Sequence, residues 1–579
     1  MNRTILIFMV VVAFILRVLA IDVLPVGFTP DEASFGYDAY SILQTGKDQW
    51  GHTLPLTLES FGDFKPPLYA YLTIPSVALF GLSKFAVRLP NALFGTAAVY
   101  ITYLLVKELS LLMVNGQWSI INKKNKILTI NHESLAIIAS LLLAISPWHM
   151  MMSRGAFEAN LTTFLLPLGI LWFLKGFKNK RFLLASLFIL GLNLFSYHSA
   201  RLVTPLIFIF LIFIFRKDLK KLSLKTKIIS AAIFTTFTLL AGYTLFLGGA
   251  TRAKDISIFS GSLQEASEQR IISIYGGLDT GTARLLHNKY QVTLQRFFSN
   301  YLQYFSANFL FVDGPSEATY GMLPGRGVLY WFELPFIFGF LYALFSSKKK
   351  KPLLLILFWI LVAPIPAALT TGKGYAANRS AIMMPAIQMA SAIGAYTIWM
   401  WVSSLLRSKK LLKIFLFGYS FVGLLFFIYF VEDYFLLSPY KSAKDMLYGN
   451  LESAYWLKDN SLDKTEIVMS TKLSEPHIYV AFANSWDPKD YQKKTREWSV
   501  YKKRNLLFID QLPEYKLGKY TFRGINYSVD QGLTEAFLVG KPEEFPSDTL
   551  VTQQFNYLTG EPAVVIVRPR KDAYAYNNY

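Results

Sequence analysis

The chain has 579 residues, of which 53% are hydrophobic and only 17% are charged, whereas soluble domains carry about 25% charged residues. The apolar residues form runs of about twenty instead of amphipathic stripes, which excludes a soluble protein and indicates a membrane protein. A net charge of +20 would favour nucleic-acid binding in a soluble protein. Here most lysines and arginines form short clusters between apolar runs, so we expect no nucleic-acid partner. The absence of cysteine excludes disulfides, thiolate nucleophiles and cysteine-ligated metals.

The apolar runs predict a polytopic α-helical membrane protein with about 11 spans. The first run, residues 5–21, follows Arg3 and is interpreted as a span because no small-residue cleavage site clearly follows it. Each run is near the roughly 20 residues that cross a bilayer core, although several short ones need help from flanking residues. The predicted spans are residues 4–21, 89–106, 133–147, 160–175, 182–197, 202–215, 228–248, 328–346, 352–369, 380–404 and 411–431.

The positive charges predict the orientation of these spans. With the N-terminus in the cytoplasm, every strongly basic connection falls on the cytoplasmic side, as the positive-inside rule demands. Residues 66–82 would invert this order if they crossed the membrane, so we expect there a helix in the outer interface, in keeping with its prolines and aromatic residues. The basic connections lie within residues 107–126, 175–181, 216–227, 348–351 and 407–413.

The same topology divides the chain into two parts. Residues 1–431 form a transmembrane domain with extracytoplasmic loops at 22–88 and 249–327, and residues 432–579 follow the last span. In this tail hydropathy falls and short β-rich runs occur, which predicts a small soluble extracytoplasmic α/β domain. The predicted strand runs are residues 466–470, 478–482, 506–509 and 563–567.

An acidic pair, Asp31 and Glu32, opens a helical stretch in the first outer loop. It follows Thr29 and Pro30, so both carboxylates are expected in the first helical turn, where the helix dipole favours anions. Helix capping explains such a position. A carboxylate at the membrane surface can also act as a general base on an acceptor hydroxyl or amine, or help to hold a divalent metal.

Lys65 precedes two prolines that keep the chain extended before the interfacial helix begins. Its ammonium is expected at the level of the lipid headgroups. Two interpretations stay open: an anchor that reaches the interface along its aliphatic stem, and a contact to a lipid phosphate.

Four arginines lie at the outer ends of predicted spans, the side where the positive-inside rule makes arginine least expected. Each therefore calls for an anionic partner, and a phosphate or diphosphate would supply one. The alternative is that they pair with Asp31, Glu32, Asp63 or Glu158 and stabilise the fold. The four are Arg88, Arg154, Arg201 and Arg379.

His149 and His198 are candidate metal or substrate contacts, although neither has the paired spacing of a typical metal-binding motif. Asp63, Tyr197 and Tyr375 are further candidate contacts to the substrate or a metal. The sequence contains neither a phosphate-binding lysine loop nor a dinucleotide fingerprint, so neither ATP nor a nicotinamide cofactor is implied.

Taken together, three motifs resemble a known group of enzymes. The acidic pair after the first span, the Lys-Pro-Pro-Leu segment at 65–68 and Arg-Leu-Pro at 88–90 resemble the protein mannosyltransferase-like glycosyltransferases of the GT-C fold (glycosyltransferase family 39-like), which include the bacterial lipid A aminoarabinose transferases. Segments 146–160, 196–202 and 300–330 also look like bacterial members. The resemblance covers roughly residues 1–400 and leaves out the tail after 432.

This resemblance implies a GT-C membrane fold with outer juxtamembrane helices, a polyprenyl-phosphate-linked sugar donor and an inverting transfer. Asp31 would be the catalytic carboxylate with Glu32 beside it, and Lys65 would approach the donor phosphate. One departure concerns the metal: the aminoarabinose transferases have a glutamate directly before this lysine, whereas here Phe64 stands there, one place after Asp63. A divalent metal at that position is therefore in doubt.

Three kinds of function remain open. The first is transfer of a sugar to a lipid, a polysaccharide or a protein, in which Asp31 removes the acceptor proton while Lys65, Arg201 and Arg379 hold the phosphate. The second is a transporter or flippase for a lipid-linked sugar, for which polar residues near mid-span and two related halves would be expected. The third is a non-catalytic polysaccharide-assembly or sensor protein of the cell envelope.

Overall fold

The computed structural model is helical over most of the chain before residue 467 and mixed α/β beyond it. It describes residues 2–113, 119–121, 127–129, 131–246, 257–315, 321–323, 325–347, 350–370, 376–406 and 408–569. Within these residues the helices α1 to α25 are, in chain order, Asn2–Val18, Pro30–Thr45, Leu68–Phe80, Lys84–Met113, His132–Ile145, Pro147–Met152, Thr162–Lys175, Lys180–Asn193, Ala200–Ile214, Arg216–Lys220, Leu224–Thr244, Ser262–Tyr275, Thr280–Leu286, Lys289–Gln303, Leu334–Ser346, Lys351–Val362, Ile365–Ala368, Ala386–Leu405, Lys409–Glu432, Ser438–Ser442, Asn450–Asn460, Pro476–Ala483, Pro488–Trp498, Val500–Lys503 and Tyr527–Asp530.

The strands form two hairpins and one larger sheet. Strands β1 and β2 pair antiparallel in the loop between α2 and α3, and β3 pairs with β4 after α4. The remaining six strands form a sheet of order β6-β7-β5-β8-β10-β9, in which β5 runs parallel to both of its neighbours. In chain order β1 to β10 are Leu58–Ser60, Asp63–Lys65, Ser119–Ile121, Ile127–Thr129, Ile467–Met469, Tyr515–Leu517, Tyr520–Phe522, Phe537–Gly540, Gln553–Asn556 and Pro562–Val567.

Every predicted membrane span overlaps a helix. Among the described residues, five helical stretches are long and apolar enough to cross a membrane: Lys84–Leu112, Leu224–Thr244, Lys351–Ala368, Ala381–Leu405 and Lys409–Ser442. Helix α3, inside the segment assigned to the interface, has 13 residues. At 1.5 Å per residue it is about 20 Å long, less than the roughly 30 Å of a bilayer core, so its length suits a helix that does not span.

The strand predictions for the C-terminal region are confirmed in two of four places. Strand β5 lies within the predicted run at 466–470, and β10 covers the predicted run at 563–567 and begins one residue earlier. Residues 478–482 lie instead in helix α22, because Pro476 pre-sets the first helical turn and a short apolar run cannot distinguish a strand from a helix. The run at 506–509 forms no strand and leads into a short 3₁₀ turn.

The C-terminal region packs directly on α2 and the β1–β2 hairpin. Apolar residues of both parts share one buried core. The Tyr479 hydroxyl donates to the Phe28 carbonyl at 2.9 Å, and the Tyr37 hydroxyl donates to the Trp486 carbonyl at 3.0 Å. Gly62, at φ 111°, has the Leu507 carbonyl so close that a Cβ would lie 2.0 Å from its oxygen. The predicted domain boundary at residue 431 therefore separates two segments that bury one another.

Candidate active site

Helix α2 begins with a capping box that assigns different roles to its two acidic residues. The Thr29 hydroxyl accepts from the Glu32 N–H at 3.3 Å, and the Glu32 carboxylate accepts from the Thr29 N–H at 3.2 Å. Pro30 fills the first helical position, where its missing N–H is not needed. Glu32 thus caps the helix, and Asp31 remains available for other partners.

Glu32 also forms a buried ion pair with Arg88. Arg88 Nε and Nη2 donate to its two oxygens at 2.8 and 3.0 Å, and both side chains are 0% exposed. The remaining Arg88 donors reach the carbonyls of Ile21, Pro25 and Gly27. All five guanidinium N–H groups are thereby engaged. This contradicts the prediction that Arg88 binds the donor phosphate, and it makes Glu32 a structural residue.

Asp31 pairs with Lys65 in a different environment. The Lys65 Nζ donates to Asp31 Oδ1 at 2.5 Å, a short charge-assisted hydrogen bond. The lysine side chain is only 7% exposed, whereas the aspartate side chain is 43% exposed. The pair therefore presents an open carboxylate, held in place by a buried cation.

The position of Lys65 is fixed by the hairpin and by two aromatic rings. Lys65 ends β2, opposite Leu58 of β1, and the following segment joins α3. Its Nζ lies 5.0 Å from the centre of the Phe35 ring and 5.4 Å from that of Phe61, distances at which a ring face attracts a cation. These contacts keep the ammonium away from water without neutralising it.

Two more carboxyl groups lie near this pair. Burial and the neighbouring Asp31 raise the pKa of Glu158 to about 7, while Lys65 opposes that rise. Burial and the neighbouring Asp510, together with Asp31, raise the pKa of Glu475, again opposed by Lys65. From the sequence, Glu158 is named only as a possible partner for an arginine, and Glu475 is not named. The site is therefore richer in carboxyl groups than the first outer loop alone predicts.

The raised pKa of Glu158 makes stability depend on pH. The folded state holds a proton up to about pH 7 that the unfolded chain releases near its ordinary pKa of 4.5, so the free energy of unfolding falls as pH rises through this window, by up to about 3 kcal/mol. Glu158→Gln stays neutral and is expected to flatten that fall. Thermal unfolding midpoints in detergent from pH 5 to 8 measure it, and parallel curves for the two proteins would contradict the assignment.

Arg154 and His149 are both enclosed by protein. Arg154 donates to the carbonyls of Leu16, Leu19 and Leu24, and its side chain is buried. His149 is 0% exposed, and its ring nitrogens lie 2.8 Å from Arg17 Nη2 and 3.0 Å from the Thr163 hydroxyl. These contacts contradict the predictions of a phosphate-binding Arg154 and a ligand-binding His149; both hold helices together.

A second polar segment adjoins the lysine. His198 is exposed and its ring lies close to the backbone of Phe64, while Leu68 donates its N–H to the Phe195 carbonyl at 3.2 Å. In the part of the chain that the structure describes, Arg201 Nη2 is buried and has no hydrogen-bond acceptor. Arg201 therefore retains a free donor close to the residue that precedes Lys65.

Arg379 joins the same segment through its neighbour. The Asn378 amide donates to the Tyr197 hydroxyl at 3.3 Å, and Arg379 Nη1 donates to the Thr370 hydroxyl at 2.7 Å. Asn378 thus links the segment of Arg379 to Tyr197, which lies in the same segment as His198 and Arg201. Tyr375 lies outside the described residues.

The position before Lys65 does not fit a metal. Phe64 has no ligand atom, and Asp63 accepts from the Phe64 backbone N–H at 2.8 Å. Whether a metal binds at this position stays a prediction.

The apolar helices and the half-exposed carboxylate beside them define a multi-pass membrane protein with a polar site near its helix ends. No protein-family model matches the sequence, and no curated protein matches it. Among solved structures, ArnT from Cupriavidus metallidurans is similar in fold, both in the apo state and bound to undecaprenyl phosphate. Each comparison gives a TM-score of 0.52 at 11% identity and covers 97% of both chains.

A second solved structure is the archaeal oligosaccharyltransferase AglB from Archaeoglobus fulgidus, in complex with an inhibitory peptide and a dolichol-phosphate. It has a TM-score of 0.47 at 15% identity, and the match covers 93% of this chain and 69% of that chain. The likeness to ArnT confirms, at the level of the fold, the resemblance to the GT-C group that the sequence motifs indicated.

Proposed function

We propose that the protein is a membrane glycosyltransferase that moves a sugar from a polyprenyl-phosphate donor to an extracytoplasmic acceptor. The observation that carries the proposal is the Asp31–Lys65 pair, an open carboxylate held by a desolvated ammonium. A general base must reach the acceptor, and a phosphate ligand must keep its charge away from water; these two residues meet those requirements. The membrane-embedded GT-C fold suits a donor with a lipid tail.

The donor phosphate is assigned to Lys65 and Arg201. The ammonium has three N–H donors, and one of them reaches Asp31. A phosphate oxygen that takes another would be held within a few ångströms of the carboxylate. Arg201 contributes its unpaired Nη2. Arg379, whose neighbour Asn378 contacts Tyr197, is assigned to the same cationic side. That ArnT, of similar fold, has been solved with undecaprenyl phosphate supports this class of donor.

The transfer is a single displacement. The acceptor hydroxyl or amine attacks the anomeric carbon while Asp31 takes its proton, and the bond from that carbon to the phosphate oxygen breaks. The electron pair leaves with the lipid phosphate, whose added negative charge Lys65 and Arg201 stabilise. The configuration at the anomeric carbon inverts because no glycosyl-enzyme intermediate forms. The acceptor is a lipid, a polysaccharide or a protein.

The proposal also includes the orientation in the membrane. We place the N-terminus in the cytoplasm, because all strongly basic connections then lie on the cytoplasmic side. The first loop, with Asp31 and Lys65, then faces the extracytoplasmic side, as does the C-terminal region packed upon it. The donor, the acceptor and the pair Asp31 and Lys65, called the catalytic pair below, would meet at that membrane surface.

Replacing Lys65 tests the donor site. Lys65→Gln is expected to bind undecaprenyl phosphate at least tenfold more weakly, because a hydrogen bond to a charged group contributes about 1.5–3 kcal/mol. The measurement is titration of the purified, detergent-solubilised protein with the lipid phosphate.

Lys84→Gln is the matched control for this titration. Lys84, like Lys65, pairs with a carboxylate, that of Glu452 at 2.7 Å, but in a separate contact. It is expected to bind the lipid like the wild type. Equal affinity of Lys65→Gln and the wild type would remove Lys65 from the donor site.

A further inference from the structure

A second cluster of chemically active side chains lies in the C-terminal region, outside the catalytic pair. Glu475 occupies the N-cap position of α22 without a capping hydrogen bond from its side chain, His477 is in the first turn, and Asp510 lies in a 3₁₀ turn before β6. One ligand atom from each of the three lies within 4.8 Å of the others. Residues separated by 33 positions in sequence thus converge in one buried place.

The hydrogen bonds of this cluster leave one buried carboxylate oxygen without a partner. The Tyr515 hydroxyl donates to Asp510 Oδ1 at 2.5 Å and lies 2.9 Å from His477 Nδ1, and the Glu475 N–H donates to Asp510 Oδ2 at 2.6 Å. Glu475 is only 8% exposed, yet its Oε2 accepts no hydrogen bond from any described residue. This oxygen lies 3.9 Å from His477 Nδ1.

A buried carboxylate oxygen without a partner is unfavourable, so such groups are usually hydrogen-bonded, ion-paired or bound to a metal. Among the described residues no lysine or arginine lies within ion-pair distance of Glu475 or Asp510. His477, packed against the rings of Phe61 and Trp498, is the nearest basic group. The two carboxyl groups therefore have no positively charged lysine or arginine within ion-pair distance among the described residues.

We propose that Glu475, His477 and Asp510 bind one divalent transition-metal ion, with Zn²⁺ as the best match. One imidazole nitrogen and two carboxylate oxygens are a ligand set that zinc accepts, with a fourth position left for water or another group. Calcium and magnesium prefer oxygen ligands alone. This site differs from the position before Lys65, where Phe64 offers no ligand.

The distances suit such an ion after small side-chain movements. Two atoms bound to one zinc at about 2.1 Å each are at most about 4.2 Å apart, and Glu475 Oε2 and His477 Nδ1 are 3.9 Å apart. The imidazole would bind through Nδ1 as its Nε2–H tautomer. The Tyr515 hydroxyl, no longer needed as an acceptor from Nδ1, would still donate to Asp510 and orient that ligand.

The site would also connect the C-terminal region to the catalytic pair. The Phe61 ring lies between the two, 5.5 Å from the His477 ring and 5.4 Å from Lys65 Nζ. A bound cation would add positive charge behind this ring and fix the contact between hairpin and C-terminal region. Binding can be measured without any sugar donor, so it is tested separately from the glycosyltransferase activity.

The experiment uses the full-length protein, freed of metal with a chelator and of any purification tag. Calorimetric titration with Zn²⁺ is expected to give one saturable site per chain, and X-ray absorption of the loaded protein is expected to show a single imidazole. Glu475→Gln and Asp510→Asn are each expected to weaken binding at least tenfold, since even outer partners of a metal have effects of 10–100-fold. Glu514→Gln removes an exposed carboxylate nearby and should bind like the wild type.

Two results would overturn the proposal. One is a wild-type protein without a saturable site. The other is equal affinity in Glu475→Gln, Asp510→Asn and Glu514→Gln, which would mean an adventitious ion only. The two ligand variants lie on different segments. If one of them fails to fold, the other variant and the titration of the wild type still test the proposal.

Discussion

Asp31→Asn is expected to lower the rate of sugar transfer by about 10³-fold, within the range of 10² to 10⁴ that a positioned general base contributes. The amide is nearly the same size as the carboxylate but cannot take the acceptor proton. Undecaprenyl phosphate binding is expected to persist, because Lys65 and Arg201 remain. The measurement is turnover in membranes supplied with a polyprenyl-phosphate sugar, next to lipid-phosphate affinity of the purified variant.

Asp22→Asn is the control for this substitution. Asp22 is an exposed carboxylate of the same connecting segment, and it lies before the capping box. Its amide variant is expected to turn over like the wild type. Correctly folded Asp31→Asn with wild-type turnover would exclude Asp31 as the base. Absence of sugar transfer by the wild type would return the flippase and assembly-protein alternatives to consideration.

The sequence predicts the helices better than the site. A helix depends on residues close together in the chain, whereas the site depends on residues that are far apart in it. A run of about twenty apolar residues has few alternatives to a helix in a membrane, so all predicted spans overlap helices. The pairing of Asp31 with Lys65 follows from the first loop folding back on itself, and the resemblance indicated both residues. The three-residue strands that bring them together were not predicted, since such short runs carry little periodicity.

The residues that sequence reasoning misjudged are those whose partners lie far along the chain. Arginine is unexpected on that side, so the sequence predicts that Arg88 binds a phosphate, with pairing to a carboxylate such as Glu32 as the alternative; the structure shows the pairing with Glu32. Glu475 lies more than 400 residues after Asp31, and no local pattern indicates that α22 begins near the Asp31–Lys65 pair. Burial and long-range pairing decide these roles, and composition does not record them.

Arg88→Ala is expected to produce the largest loss of stability of any substitution considered, about 3–5 kcal/mol. It leaves the Glu32 carboxylate, which is 0% exposed, without its ionic partner, and it leaves the carbonyls of Ile21, Pro25 and Gly27 without donors. Arg88→Lys is expected to rescue little, because one ammonium cannot replace five fixed N–H groups. Detergent melting curves and size-exclusion profiles measure the effect.

Lys107→Ala provides the comparison that makes this result interpretable. Lys107 and Glu133 also form an ion pair, but their side chains are 39% and 30% exposed, and a pair of that kind contributes at most about 1 kcal/mol. The expected contrast is therefore a strongly lowered melting point for Arg88→Ala and a nearly unchanged one for Lys107→Ala. If Arg88→Ala instead melts like the wild type but binds undecaprenyl phosphate more weakly, Arg88 belongs to the donor site. The buried Glu32 carboxylate would then be held by the capping box and by the N–H of Ala156, which donates to it at 3.0 Å.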